Sequence, residues 1–313
     1  DSFNRWQAIQ TYATRLLMRS VTAIRSGELP PQDEAFAEVI GAALDEADRD
    51  PAFIAQAVTL PSEADLAREI GENIDPDAIY AARDGLRVFL SRRLSSKLMA
   101  VYEHLTESTP YKPDAASAGR RALRNAALDL YAAGDHEGGS DVAMHQFQTA
   151  DNMTNQFAAL SVLSTLHTSQ RERALDSFFR SHAGDALVLD KWFSLQATIP
   201  EAATLDRVRR LMKHHAFSIA NPNRVRALVG AFAMANQTQF NAEDGSGYRF
   251  LADVVLTLDK SNPQVGARML QAFRSWKALE PGRKAKAEAE LRRIADTAAL
   301  SPDVRDIVDR SLA

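Results

Sequence analysis

Five of the chain's 12 prolines stand directly after a residue whose side-chain oxygen can cap a helix: Asp50-Pro51, Asp75-Pro76, Asn221-Pro222, Asn262-Pro263 and Ser301-Pro302. In such a pair the oxygen accepts a free backbone N–H, and proline brings a preset φ to a position whose own N–H would go unpaired. Five helix starts are therefore marked by mechanism. Strand signals are nearly absent, with no convincing alternating run of β-branched residues and no Asn-Gly or Asp-Gly turn between two such runs. The feature confines the chain to an all-α fold.

Apolar spacing extends the caps into helices. Val225, Leu228, Val229 and Phe232 recur at i, i+3, i+4, i+7, and Val265, Met269, Ala272, Phe273 and Trp276 form a second stripe. Further helices are expected near 3–26, 33–48, 76–106, 114–133, 154–167, 170–181, 203–213, 246–259 and 283–296, for roughly fourteen to sixteen in all. From about residue 154 they come in short pairs, the unit of an α-solenoid in which each pair covers its neighbour's apolar face. No consensus recurs, so the expectation is a superhelix of irregular HEAT/armadillo-like pairs in a single domain, with an ordinary α-bundle as the alternative. The polar stretch Asn236 to Gly247 reads as an ordered connection.

At 313 residues, 45% hydrophobic and 25% charged, the chain has the composition of a globular protein. Its net charge of −4 gives no pull toward nucleic acid or an anionic membrane, and neither partner is expected. No run approaches the roughly 18 apolar residues of a membrane span. Zero Cys excludes thiol chemistry and Cys-ligated metal and suits a reducing compartment, so a cytoplasmic location is expected. The chain opens at Asp1 and runs straight into Phe3, Trp6 and Ile9 at helical spacing, which reads as a domain of something longer. Charge is uneven: residues 28–77 hold fourteen Asp or Glu against Arg49 and Arg68, a net −12 that leaves the remainder at +8. That block is either a solvated face or the complement of a basic surface.

No self-contained active site emerges. The zinc-protease motif H-E-x-x-H is missing; His136-Glu137-Gly138-Gly139-Ser140 has Ser at the second ligand position, and its two glycines disfavour a helix. His214 and His215 are adjacent, and on one helix they would point about 100° apart. Gly245-Ser246-Gly247 resembles a phosphate cradle but reads as a turn and helix start. Catalytic and metal residues are therefore expected to be absent from this chain.

Arginine stands where apolar residues belong. Arg268 sits at the apolar edge of its predicted helix, with Gln264 one turn earlier, and Arg226 shares a predicted face with Val229, Gly230 and Ala233. Guanidinium keeps its charge when buried, so each needs a carboxylate, a carbonyl cluster or a wet cavity. Two readings are open: one anion-recognising surface, or structural salt bridges to Glu243, Asp244 or Asp253.

Taken together, several strings resemble the C-terminal domain of the bacterial aminopeptidase N family. They are Phe3-Asn4-Arg5-Trp6, Leu60-Pro61-Ser62-Glu63, Asp75-Pro76-Asp77-Ala78-Ile79, Asn152-Met153-Thr154, and Asp190-Lys191-Trp192-Phe193 followed by Leu195-Gln196-Ala197. The most specific are Asn221-Pro222-Asn223-Arg224-Val225-Arg226 with Gly230-Ala231-Phe232, then Ala242-Glu243-Asp244-Gly245-Ser246-Gly247-Tyr248, then Asn262-Pro263-Gln264-Val265 with Arg268. The resemblance implies that residues 1–313 are one superhelical cap domain. It implies an upstream domain carrying the zinc and the H-E-x-x-H site, on which this domain docks to enclose a chamber for peptide substrates. It also implies that Arg226, Arg268 and Gln264 face the substrate, and that this chain alone does not hydrolyse peptides. The alternative is an independent α-solenoid that binds a protein partner along its concave face.

Overall fold

A computed structural model describes residues 2–107 and 110–313. Along the chain run α1 (Ser2–Arg25), α2 (Glu34–Leu44), α3 (Pro51–Ala57), α4 (Glu63–Ile70), α5 (Pro76–His104), α6 (Ala115–Gly134), α7 (His136–Thr149), α8 (Met153–Thr165) and α9 (Gln170–His182). Then come α10 (Ala186–Ala197), α11 (Thr204–Leu211), α12 (Pro222–Val225), a π turn (Arg226–Gly230), α13 (Ala231–Ala235), α14 (Gln237–Phe240), α15 (Ser246–Asp259) and α16 (Pro263–Met269). Two 3₁₀ turns (Leu270–Phe273, Trp276–Ala278), α17 (Pro281–Ala295) and α18 (Pro302–Leu312) complete it. The fold is all-α, and among the described residues the one strand-like feature is an isolated parallel bridge between Ile74 and Leu279.

Four of the five caps act as the sequence implies. Asp50 accepts from the Phe53 N–H at 3.0 Å, Asn262 from Val265 at 3.4 Å and Ser301 from Val304 at 3.3 Å, while Asn221 accepts from Asn223 and Arg224. Pro76 opens α5 as expected. A sixth proline works the same way: Glu280, ahead of Pro281, accepts from the N–H groups of Gly282 and Arg283.

Helix α7 overturns an expectation. The glycines at 138 and 139 do not stop a helix; Asp135 caps it by accepting from the Gly138 N–H at 2.9 Å. A Cβ on Gly139 would lie 2.6 Å from the Ala132 Cα, so glycine is what lets α7 cross α6 this closely.

The described residues gather into two compact units that divide within α9: residues 1–69 with 77–177, and residues 70–76 with 178–313. In the first, Leu16, Leu17, Phe36, Ile40, Ile54, Leu90, Leu123 and Leu128 are fully buried. Part of the acidic block is met here by basic side chains of α1 and α5. Arg5 bonds Glu46 at 2.9 Å, Arg93 bonds Glu34 at 2.8 Å, Lys97 bonds Asp45 at 2.8 Å and His104 pairs with Asp48 at 2.7 Å. In the second unit the core is aromatic: Phe232, Phe240, Phe250, Tyr248 and Phe273 contact one another edge to face or tilted.

The connection from Asn236 to Gly247 is ordered, as expected. Asn236 donates through Nδ2 to the carbonyls of Ala197 and Ile199, and Tyr248 donates its hydroxyl to Asn241 Oδ1 at 2.8 Å. The Gly245-Ser246-Gly247 string is a turn and helix start: Gly245 sits at φ 72°, and a Cβ on Gly247 would collide with the Phe240 carbonyl oxygen.

Candidate functional site

The segment that sets the site begins at Asn221. Its side chain holds the N–H groups that open α12, and Arg224, buried, then ties that helix down from below. Arg224 donates through Nη1 to the Ala186 carbonyl at 2.9 Å and to Asp190, and through Nε to the Ala216 carbonyl at 3.1 Å. Its guanidinium also lies 5.8 Å from the Phe193 ring centre, within cation–π range. The buried, fully committed arginine of this segment is therefore Arg224, which the apolar pattern did not single out.

Arg226, two residues on, is exposed. The expected face does not bury it: in the π turn the Ala231 N–H reaches back to the Arg226 carbonyl, and Arg226 lies outside the buried stripe. Val225, Leu228, Val229 and Phe232 keep the buried stripe, at 0% exposure, and Arg226 faces solvent with Nη2 donating to Asn223 Oδ1.

Arg268 and Gln264 are exposed as well. α16 ends at Met269 and passes into a 3₁₀ turn, so the long stripe from Val265 to Trp276 crosses another change of helix type. Met269, Phe273 and Trp276 take the buried side. Neither arginine meets the acids proposed for it: Asp253 accepts from Arg293 at 2.8 Å, Asp244 from the Ser246 N–H at 2.9 Å, and Glu243 lies 4.0 Å from Arg283. Among the described residues neither Arg226 nor Arg268 makes an ion pair.

A Cβ at Gly230 would lie 3.7 Å from the Met269 Cε, an ordinary van der Waals contact. Arg226 and Arg268 each present an exposed guanidinium that no carboxylate neutralises among the described residues.

Metal ligation has no such geometry. Among the described residues no three His, Asp or Glu side chains converge on a common point. His214 and His215 lie beyond the end of α11 and do not diverge as helix neighbours would; their rings stack with centres 4.3 Å apart. His214 uses Nδ1 to accept the Ala216 N–H at 3.2 Å and packs on Phe179 and Trp192. Burial, with the neighbouring His215, holds the His214 imidazole below its ordinary range. No helix of the described residues is long and apolar enough to cross a membrane.

Three relatives match the whole chain. Aminopeptidase N of Caulobacter vibrioides is 37% identical over 314 residues, aminopeptidase N of Escherichia coli K12 is 34% identical, and that of Haemophilus influenzae is 33% identical. The chain spans 36%, 36% and 35% of those proteins, respectively, or about a third of their length. Among solved structures, Legionella pneumophila aminopeptidase A in complex with aspartic acid superposes on 100% of the chain with a TM-score of 0.89 at 26% identity, the match covering 37% of that chain. The family model described as "Domain of unknown function (DUF3458_C) ARM repeats" matches residues 1–313, in agreement with the reading of α-solenoid helix pairs. The chain belongs to that family, and its resemblance to the C-terminal domain of aminopeptidase N holds over its whole length.

Proposed function

We propose that this chain is the helical cap of a cytoplasmic zinc-dependent aminopeptidase. In this reading it docks on the domain that carries the metal, narrows access to the chamber and holds the C-terminal side of the peptide. Among the described residues no three His, Asp or Glu side chains converge, and this reading assigns the metal and the general base to the rest of the protein. What remains for this chain is binding and orientation.

The observation that carries the reading is that Arg226 and Arg268 both face solvent and neither is neutralised by an acid among the described residues. In a chamber poor in bulk water, charge-assisted bonds from guanidinium to a terminal carboxylate strengthen, and fixing that end of a short peptide presents its amino end to the chemistry. Gln264, one turn before Arg268, adds a neutral amide beside it.

Replacing Arg268 by Ala in the full-length gene product tests this. The KM for short peptides with a free carboxylate should rise about tenfold, the size of a lost charge-assisted bond, while amino-acid anilides, which have no carboxylate, are turned over as before. Equal loss on both substrate types would remove the carboxylate clamp from the account.

A further inference from the structure

The direction of Arg226 is fixed by a neighbour that no comparison assigns. An exposed arginine samples many rotamers, and a guanidinium that wanders makes a poor clamp. Here the backbone is first pinned from both sides: Asn221 accepts from the N–H of Asn223 at 2.9 Å, and buried Arg224 anchors the next residue. Arg226 opens the π turn and lies outside the buried stripe. Asn223 Oδ1 accepts from Arg226 Nη2, and the Arg226 N–H donates to the Asn223 carbonyl, so Asn223 holds this arginine at both its backbone and its tip.

We infer that Asn223 is a positioning residue for the peptide's carboxylate end. This rests on the reading of Arg226 as a carboxylate contact. The neutrality of the amide is central: it occupies one guanidinium N–H, leaves the others to point outward and leaves the positive charge intact. A carboxylate at the same place would neutralise Arg226 and compete with the substrate for it. The side chain of Asn223 is exposed and takes no part in capping α12, which Asn221 does, so substitution there leaves the packing untouched.

Asn223→Ala, Asn223→Asp and Arg226→Ala in the full-length gene product test the assignment. The substrates are a tripeptide with a free C-terminus and the same tripeptide as its C-terminal amide. Asn223→Ala should raise KM for the free acid about three- to tenfold, with kcat and the amide unchanged, as for a lost hydrogen bond. Asn223→Asp, which keeps the acceptor, should raise it at least as much; a purely structural role predicts that it behaves as wild type. Adding Asn223→Ala to Arg226→Ala should have no further effect, because Asn223 acts through Arg226. A crystal structure of the Asn223→Ala protein separates the two ideas. An Arg226 guanidinium that stays in place there overturns the positioning role whatever the kinetics, as does wild-type kinetics for Asn223→Asp. If Arg226→Ala instead treats acid and amide alike while the guanidinium is displaced in Asn223→Ala, positioning stands and the carboxylate reading falls.

Discussion

Arg224 and Arg226 lie two residues apart and do opposite work. Arg224 is buried against Asp190 and two carbonyls, so Arg224→Ala leaves an uncompensated carboxylate and should cost about 3 kcal/mol in urea denaturation. Arg226→Ala removes an exposed side chain and should change stability by less than about 0.5 kcal/mol. Reading the sequence at a uniform 3.6-residue period selects Arg226, which is exposed, and passes over Arg224, whose place is set by bonds to Ala186 and Asp190 more than thirty residues away that a local pattern does not register. His214 supplies a titrating residue. Its imidazole is held below the ordinary value near 6.5, so the unfolded chain takes up that proton more readily than the folded one, and stability is lost as pH falls through about 6.5. The drop in melting temperature between pH 7.5 and 5.5 should shrink in His214→Gln; an undiminished drop would rule the residue out as its source.

At the scale of elements, caps carry local information and packing does not. The cap–proline pairs locate α3, α5, α12, α16 and α18, and Asp50→Ala should cost about 1 kcal/mol by releasing the Phe53 N–H. The chain also holds a signal that the apolar pattern alone does not use. Ser62 and Asp65 open α4 in an S-x-x-D arrangement, with the Asp65 N–H donating to Ser62 Oγ at 3.1 Å and the hydroxyl returning to Asp65 Oδ2 at 2.6 Å. Helix α10 is capped by Asp185, which accepts from the Leu187 and Val188 N–H groups, without a proline after it, so the cap–proline pattern does not mark it. For α7 the local rule points the wrong way: glycine propensity argues against a helix, while the crossing with α6 requires glycine at 139. Gly139→Ala should therefore destabilise by about 2 kcal/mol despite the better helix propensity of alanine, a sign that chemical denaturation reads directly.

For the molecule as a whole, the net charge of −4 hides a −12 block, four of whose fourteen acids, Glu46, Glu34, Asp45 and Asp48, pair with Arg5, Arg93, Lys97 and His104. These are exposed pairs, which add little to stability. Arg226 and Arg268 are among the basic side chains without an acid partner among the described residues. The family model matches all 313 residues, and the chain spans about a third of each aminopeptidase N relative. The claim that Arg226 and Arg268 grip a carboxylate is tested most directly by a single ratio. It is the kcat/KM of the full-length gene product for a free-acid tripeptide over that for its C-terminal amide, compared between wild type and the Arg226→Ala, Arg268→Ala double variant. The ratio should be well above one in wild type and fall to near one in the variant. A ratio that the two substitutions leave unchanged would contradict the account.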